Sequence, residues 1–417
     1  MQPKLWNRNF TLAFIGMIIS AAGSVGLGVA FSVVVFTETQ STTLSAVLAA
    51  VFMVPQFVLP LVIGPVIDRS NPLKVLVKNE VILALIFFLA AVLIYLWGFN
   101  YILYMVFCVL ISSFGVVSQL ASSSVIPQIM ARENYVRGNA IINVIYPLCS
   151  VAITPIAMKL FDAYGMPLIL AAYGVTSLID AALESRINAK FEYIEAEKTS
   201  LKEYGEDLRD GFRYFMKDPA IRSVFLLFTL VMFADSSGSV LTYPFFNKSA
   251  TLTNDQFALM TSIRSAGYMF GGFLHYFIKI PEKKRFTIAI VVYFSFVLLD
   301  GTFFFMPFLL MCISRFLLGL LGMNSANIRV SAVQSHVPNQ MRAKTNAFFS
   351  VLTSAAMMLG QLLAGALGEV APYWLIQICF QGVYLLGILV FALPKRNKVD
   401  ELYNYAASTE PTSVEAT

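Results

Sequence analysis

Two aspartates and two arginines stand inside long apolar runs of this 417-residue chain: Asp235, Asp300, Arg264 and Arg315. If such a run crosses a bilayer, an ionisable group within it costs about 2.5–3.5 kcal/mol, and it is kept only where it faces a wet cavity or meets a partner. The chemistry open to such groups is proton exchange. Burial favours the neutral acid and a nearby guanidinium favours the carboxylate, so a carboxyl moved between the two surroundings takes up and releases a proton. Counted at 1.5 Å per residue, Asp235 and Arg264 lie about 16 Å and about 15 Å below the same ends of successive runs. Successive runs are usually neighbours, so the two are expected to pair. Asp300 and Arg315, about 8 Å and about 12 Å deep, form a second and looser candidate pair. Asp180 is a borderline third case, about 10 Å from the inner end of its run. The alternative for each pair is a permanent structural bridge.

Other chemistry is absent from the sequence. No Ser/His or metal-ligand cluster stands at helical spacing and no G-x-x-x-x-G-K loop occurs, so neither an enzyme nor a bound cofactor is expected. The four cysteines, Cys108, Cys149, Cys312 and Cys379, fall within apolar runs without metal-type spacing and read as free thiols.

The elements that hold these residues are set by composition. The chain is 58% hydrophobic and only 13% charged, with a mean hydropathy of +0.73, whereas soluble domains carry about 25% charge. The apolar residues gather in runs of about 20, enough to cross a bilayer as a helix. They lack the period-two alternation of a barrel strand, so helices must satisfy the backbone. The fold class expected is therefore an all-α membrane protein with twelve spans: 11–36, 43–66, 75–97, 100–125, 138–160, 167–187, 221–246, 254–279, 286–305, 307–332, 345–369 and 373–393. With both termini cytoplasmic, nearly all of the 29 Lys and Arg fall on the inner side, and the outer loops hold only Lys159 and Lys248. The net charge of +5 thus reads as orientation in a lipid bilayer, not as nucleic-acid binding.

The apolar pattern breaks once, at 188–220. Leu201, Tyr204, Leu208, Phe212 and Phe215 fall on one helical face there. Ser200 to Glu203 has the form of a capping box, and Asp218-Pro219 ends the segment. An amphipathic helix on the inner membrane surface is expected. The domains are then a six-helix bundle at 1–187, a cytoplasmic linker at 188–220, a second six-helix bundle at 221–394 and a disordered tail at 395–417. The halves correspond: Gly64 matches Gly271, and Asn139-Ala140 matches Asn346-Ala347 at the same offset. Such duplication is a pattern of secondary transporters with substrate held near the midplane.

The loop GPVIDRSNPLK (64–74) carries a family resemblance. Gly64, Asp68 and Arg69 match the signature of the major facilitator superfamily; Asn71 replaces a second Gly, Pro72 and Leu73 stand where basic residues are usual, and Lys74 comes one place late. The stretches GFRYFMKDPAIRSVFLL (211–227) and SSVIPQIMARENYVRGNAI (123–141) are similar to the drug:proton antiporter branch with macrolide-efflux and enterobactin-export proteins. The antiporter motif of span five keeps Pro155 alone. The resemblance covers about 8–395.

It implies a cavity lined by spans one, four, seven and ten. The polar residues on those spans are Ser20 and Ser24; Ser112, Gln119 and Ser122; Ser239 and Thr242; and Asn324 and Asn327. Helix-packing contacts are the alternative for the serines. The resemblance also implies that Asp68 latches the inner end of span eleven, near Lys344, with Gly64, Arg69, Lys74 and Arg137 completing the gating loop. A carboxylate suits a helix N-terminus. His275 takes the place of Asp68 in the second half and reads as a remnant of the duplicated loop; His336 falls in the loop after span ten.

The function implied is proton-coupled efflux of small amphipathic molecules, such as drugs or macrolides, by alternating access. The alternatives are a proton-coupled importer or a lipid or siderophore transporter, and a receptor that kept the fold without transport. A small-molecule substrate, protons as coupling ion, a monomer and a bacterial plasma membrane complete the expectation.

Overall fold

The computed structural model describes residues 5–68, 70–189, 191, 201–277, 281, 284–394, 399–400 and 402–403. Among them there are helices and no strands. The helices are α1 (Arg8–Thr39), α2 (Thr42–Asp68), α3 (Pro72–Trp97), α4 (Tyr101–Ile129), α5 (Tyr135–Glu184), α6 (Leu201–Lys217), α7 (Pro219–Lys248), α8 (Asn254–Phe277), α9 (Arg285–Gly301), α10 (Phe308–His336), α11 (Asn339–Gly368) and α12 (Tyr373–Gly387). Helix α5 makes two crossings. They join at Gly165, where φ is 72°, a region glycine enters without a Cβ penalty. With α5 counted twice and α6 set aside as the linker helix, the twelve expected crossings are present.

Asparagines start several helices. Asn7, Asn71 and Asn100 each accept a backbone N–H from the first turn of α1, α3 and α4. Asn71 is followed by Pro72 at the first helical position. The departure from the family signature at 71–72 is therefore a helix start. Helix α11 begins at Asn339, earlier than the apolar run at 345 suggested, because its first turns are polar.

Two compact units emerge, and they do not follow the two sequence halves. The first is Met1–Tyr204 with Ser239–Ala266 and Gln361–Val370; the second is Gly205–Gly238 with Gly267–Gly360 and Ala371–Thr417. Within the first unit, α1 and α3 both pack on α5. Phe87, Tyr104, Leu170 and Ala30 form part of its core. Gly16 and Gly23 let α1 close on α5, since a Cβ at either would collide with Asp180 or with Tyr173 and Thr176. The far side of α3 is also apolar: Leu85, Leu89, Val92 and Leu96, at steps of four, three and four, are all exposed. A helix apolar on both faces needs lipid on one of them.

The ends of α7, α8 and α11 belong to this first unit through specific contacts. Thr37 Oγ1 and Tyr243 OH lie 2.8 Å apart. Thr42 donates to the Gly365 carbonyl at 2.7 Å. Ser150 and Ser265 hydroxyls meet at 2.8 Å, and Asn254 donates to Asp162 at 2.9 Å. Gly365 and Gly368 bring α11 against Thr42 and Ala46 with no room for a side chain. Glu369 completes the junction by accepting from Ser41 Oγ at 2.6 Å and from the Thr43 N–H at 3.0 Å. It supplies an anion at the N-terminus of α2, where the helix dipole favours one.

In the second unit α9 packs on α10 and α12. Gly267 and Gly271 bring α8 onto the backbone of α10 at Phe316 and Leu320. The linker helix α6 lays Phe215 against Phe225 of α7 and Phe348 of α11, with ring centroids 6.1 and 5.2 Å away. Its apolar stripe thus has a protein surface to cover. The proposed capping Ser200 lies outside the described residues.

Candidate functional site

Asp300 ends α9 and Arg315 begins the third turn of α10. A single turn at Phe303–Phe305 and Pro307 folds the chain back between them. The guanidinium meets the carboxylate at 2.5 Å, with side chains 5% and 3% exposed. The Phe303 ring lies under the guanidinium, 3.8 Å from its centroid. The pair expected to be the looser of the two is in fact sealed and tight, because a short connection brings the helix ends together whatever their nominal depths.

Asp235 is half-buried in α7 in the second unit, and Arg264 is half-buried in α8 in the first. Next to Asp235, Ser237 is buried and donates to Gln377 of α12 at 2.8 Å.

The polar residues of the expected cavity divide. Gln119 and Ser239 are exposed, and Ser122, Asn324 and Asn327 are partly so. Asn324 donates to its own helix at Leu320. Ser112 is a correction: it is buried and donates to the Phe52 carbonyl of α2, a packing contact. Thr242 is likewise buried. Ser24 meets the Tyr173 hydroxyl at 3.1 Å and Ser20 neighbours Asp180, so both face α5.

For the gating loop, Lys74 and Arg137 are exposed. The surroundings of Gly64, the side chains of Asp68 and His275, and all of Arg69 lie outside the described residues. Lys344, expected beside Asp68, is engaged by the linker helix at 3.0 Å from Asp207 and 2.8 Å from Asp210. The hydrogen bond from Lys344 and its charge hold the Asp210 carboxyl below the usual carboxylate range. His336 closes α10, not a loop, and its Nε2 lies 2.7 Å from Asp218. Asp218 also accepts the N–H groups of Ala220 and Ile221, capping α7. Burial opposes ionisation of Asp218, yet the His336 contact and these N–H donors hold it below the usual range.

Sequence reasoning missed two groups. Arg329, not singled out in the sequence, sits within α10 over the Phe228 ring at 3.9 Å, and lines a cavity of about 290 Å³ with Asn346 and Phe349. Glu80 and Glu184, not singled out in the sequence, are as buried as Asp180. The available signal was the face Tyr173, Ser177, Asp180, Glu184, at helical steps of four, three and four.

Residues 13–236 and 224–408 each match the Major Facilitator Superfamily, so the chain belongs to that family of secondary transporters and is a multi-pass membrane protein. An uncharacterized MFS-type transporter, YkuC of Bacillus subtilis (strain 168), is 23% identical over 413 residues, 93% of each chain. The peptide transporter POT in complex with alafosfalin superposes with a TM-score of 0.74 at 11% identity, covering 96% of this chain and 97% of that one. A D-xylose–proton symporter gives 0.65 at 14% identity, covering 93% and 98%. At these identities the solved structures speak for the fold.

Proposed function

We propose that this transporter is a proton-coupled exporter of small amphipathic molecules, driven by protonation of Asp235. The observation that carries the proposal is a half-buried carboxyl within the membrane-spanning helix α7. Such a group persists in a membrane span only where its charge is met by water or a partner. Arg264 stabilises the ionised form in one state and releases it in another. Asp300 and Arg315 hold α9 to α10 while the bundle moves. Gln119, Ser122, Ser239, Asn324 and Asn327 offer polar groups to substrate, and Asp68 with Arg69 latches the inner side. The exporting direction and the branch of drug:proton antiporters rest on the stretches at 123–141 and 211–227. The chain acts as a monomer in a bacterial plasma membrane with both termini cytoplasmic, an orientation supported by its Lys and Arg distribution.

Proteoliposomes with an imposed pH gradient test this. Wild type is expected to move fluorescent cations or macrolides against their gradient, with loss of movement on adding an uncoupler. Asp235→Asn is expected to bind substrate but lose gradient-driven transport. Transport by Asp235→Asn with unchanged proton dependence would remove Asp235 from the coupling.

A further inference from the structure

Three carboxyl side chains are sealed inside the first unit. Glu80 on α3 and Asp180 and Glu184 on α5 are 3%, 4% and 6% exposed. The Ser20 hydroxyl of α1 hydrogen-bonds the Asp180 carboxyl, and Ser118 of α4 donates to Glu80 Oε1 at 2.5 Å. Asn79 orients that serine, donating to Ser118 Oγ at 2.7 Å and to the Phe114 carbonyl at 3.0 Å. Glu80 Oε2, Asp180 Oδ1 and Glu184 Oε2 are buried without a hydrogen-bond partner. Ser177, wholly buried, neighbours Glu80 with its hydroxyl also unpartnered. The polar face is therefore built inward from three helices, and Gly16 of α1 leaves the space that Asp180 fills.

The surroundings supply no positive charge. Among the described residues no Lys, Arg or His pairs with any of the three. Helix α1 presents Gly16, Ser20 and Ser24; α4 presents Ser118; α5 adds Tyr173, whose hydroxyl meets Ser24. The nearest cations in sequence, Lys74 and Lys78 on α3, Arg186 after α5 and Arg8 on α1, are exposed. Three bare anions in such a place would cost several kcal/mol each. An isolated buried ion is relieved by taking a proton, and like charges nearby add to that drive. A protonated carboxyl also gains an O–H donor, which the unpartnered Ser177 and carboxyl oxygens are placed to accept.

We propose that Glu80, Asp180 and Glu184 form a proton-binding site within the first unit, separate from Asp235. The triad holds protons shared among its carboxyls at neutral pH and gives them up when water reaches the face between α1, α3 and α5. Its part in coupling rests on the transport reading above; the protonation itself does not.

The test is infrared difference spectroscopy on the full chain in lipid nanodiscs, titrated from acid to alkaline pH. A carbonyl-stretch band of protonated carboxyls, shifted in D₂O, is expected to persist at neutral pH and fade as pH rises. Glu80→Gln, Asp180→Asn and Glu184→Gln should each reduce it, and the triple variant should leave only the part that Asp235→Asn removes. Melting temperatures of the amide variants, expected to stay at or above wild type, confirm that they fold. An unchanged band in the triple variant overturns the proposal. So does an ionised triad at neutral pH whose melting temperature rises with added sodium or calcium, since that defines a metal-cation site. If the triad titrates but no pH gradient drives transport, the site stands and the transport reading falls. If a gradient drives transport and the triad band is missing at every pH, the site falls alone.

Discussion

Asp300 and Arg315 meet at 2.5 Å with both side chains sealed, whereas Glu80, Asp180 and Glu184 are sealed to the same degree with no cation beside them among the described residues. The first arrangement cancels its charge internally and has no need of solvent. The second can cancel its charge only by exchanging protons. The difference separates a charge that fastens two helices from charges that can report on pH, and burial alone does not tell them apart.

The largest expected effect comes from unmatching the matched pair. Arg315→Leu removes the guanidinium from the buried Asp300 carboxylate, and should destabilise the protein by about 3–5 kcal/mol. The double variant Asp300→Leu, Arg315→Met should recover most of that loss, because replacing both members of a buried pair by apolar groups is often neutral. Thermal unfolding in detergent measures both. If Arg315→Leu melts like wild type, the pair does not fasten α9 to α10 and the contrast with the triad disappears.

The second prediction sharpens the unmatched side. Gly16→Ala drives a methyl into Asp180 Oδ1, and overpacking of this kind costs about 1–3 kcal/mol. Adding Asp180→Ala should relieve much of the cost, and the non-additivity of the two changes measures the contact. Additive losses would mean that Gly16 packs against something other than the carboxyl.

How legible this was follows from what periodicity encodes. The spans were readable, because lipid on one face and protein on the other make both faces of a helix such as α3 apolar. The break at Gly165 was placed as a loop for the same reason, although the chain stays helical on both sides of it. Though its nominal depths understated how tightly it closes, the Asp300–Arg315 pair was readable from its place on successive helices. Glu80 and Glu184 were not, since position near a span end says nothing about which neighbours cover it. Asp180 needed Gly16 opposite it, and that pairing joins α1 to α5 across most of the first half. Arg329 drew no notice because the last turns of α10 are polar, so a cation there reads as one more inner-side charge.

The third prediction concerns charge at a helix start that is partly wet. Asp218→Ala removes the cap of α7 together with the His336 contact, and should cost about 0.5–2 kcal/mol in thermal unfolding. Asp218→Asn keeps an acceptor for the cap but not the anion, so it should cost less. Because the folded-state value for Asp218 is depressed, its contribution is present above the ordinary carboxylate range and is lost as pH falls through the lower folded value. Equal losses in the two variants would assign the whole effect to His336.

The smallest effect is expected at Glu369, which is exposed yet tied to the start of α2. Partial burial works against its charge, but donors from Ser41, Thr43 and Thr42 hold the carboxyl below the usual range. Its contribution is therefore full above the ordinary glutamate value and disappears as pH falls through the depressed folded value. Solvent screening keeps this contribution small in stability. Its local effect should still be visible as faster hydrogen exchange at Thr43 and Leu44 in Glu369→Gln than in wild type at neutral pH, with the difference closing in acid. The comparison with the triad then gains a third term. An exposed carboxylate matched by N–H and O–H donors loosens a helix end as it takes a proton, while the sealed triad is stable only because it already holds one. Exchange at Thr43 that is equal in both proteins at every pH would show that Thr42, through Gly365, holds the junction without Glu369.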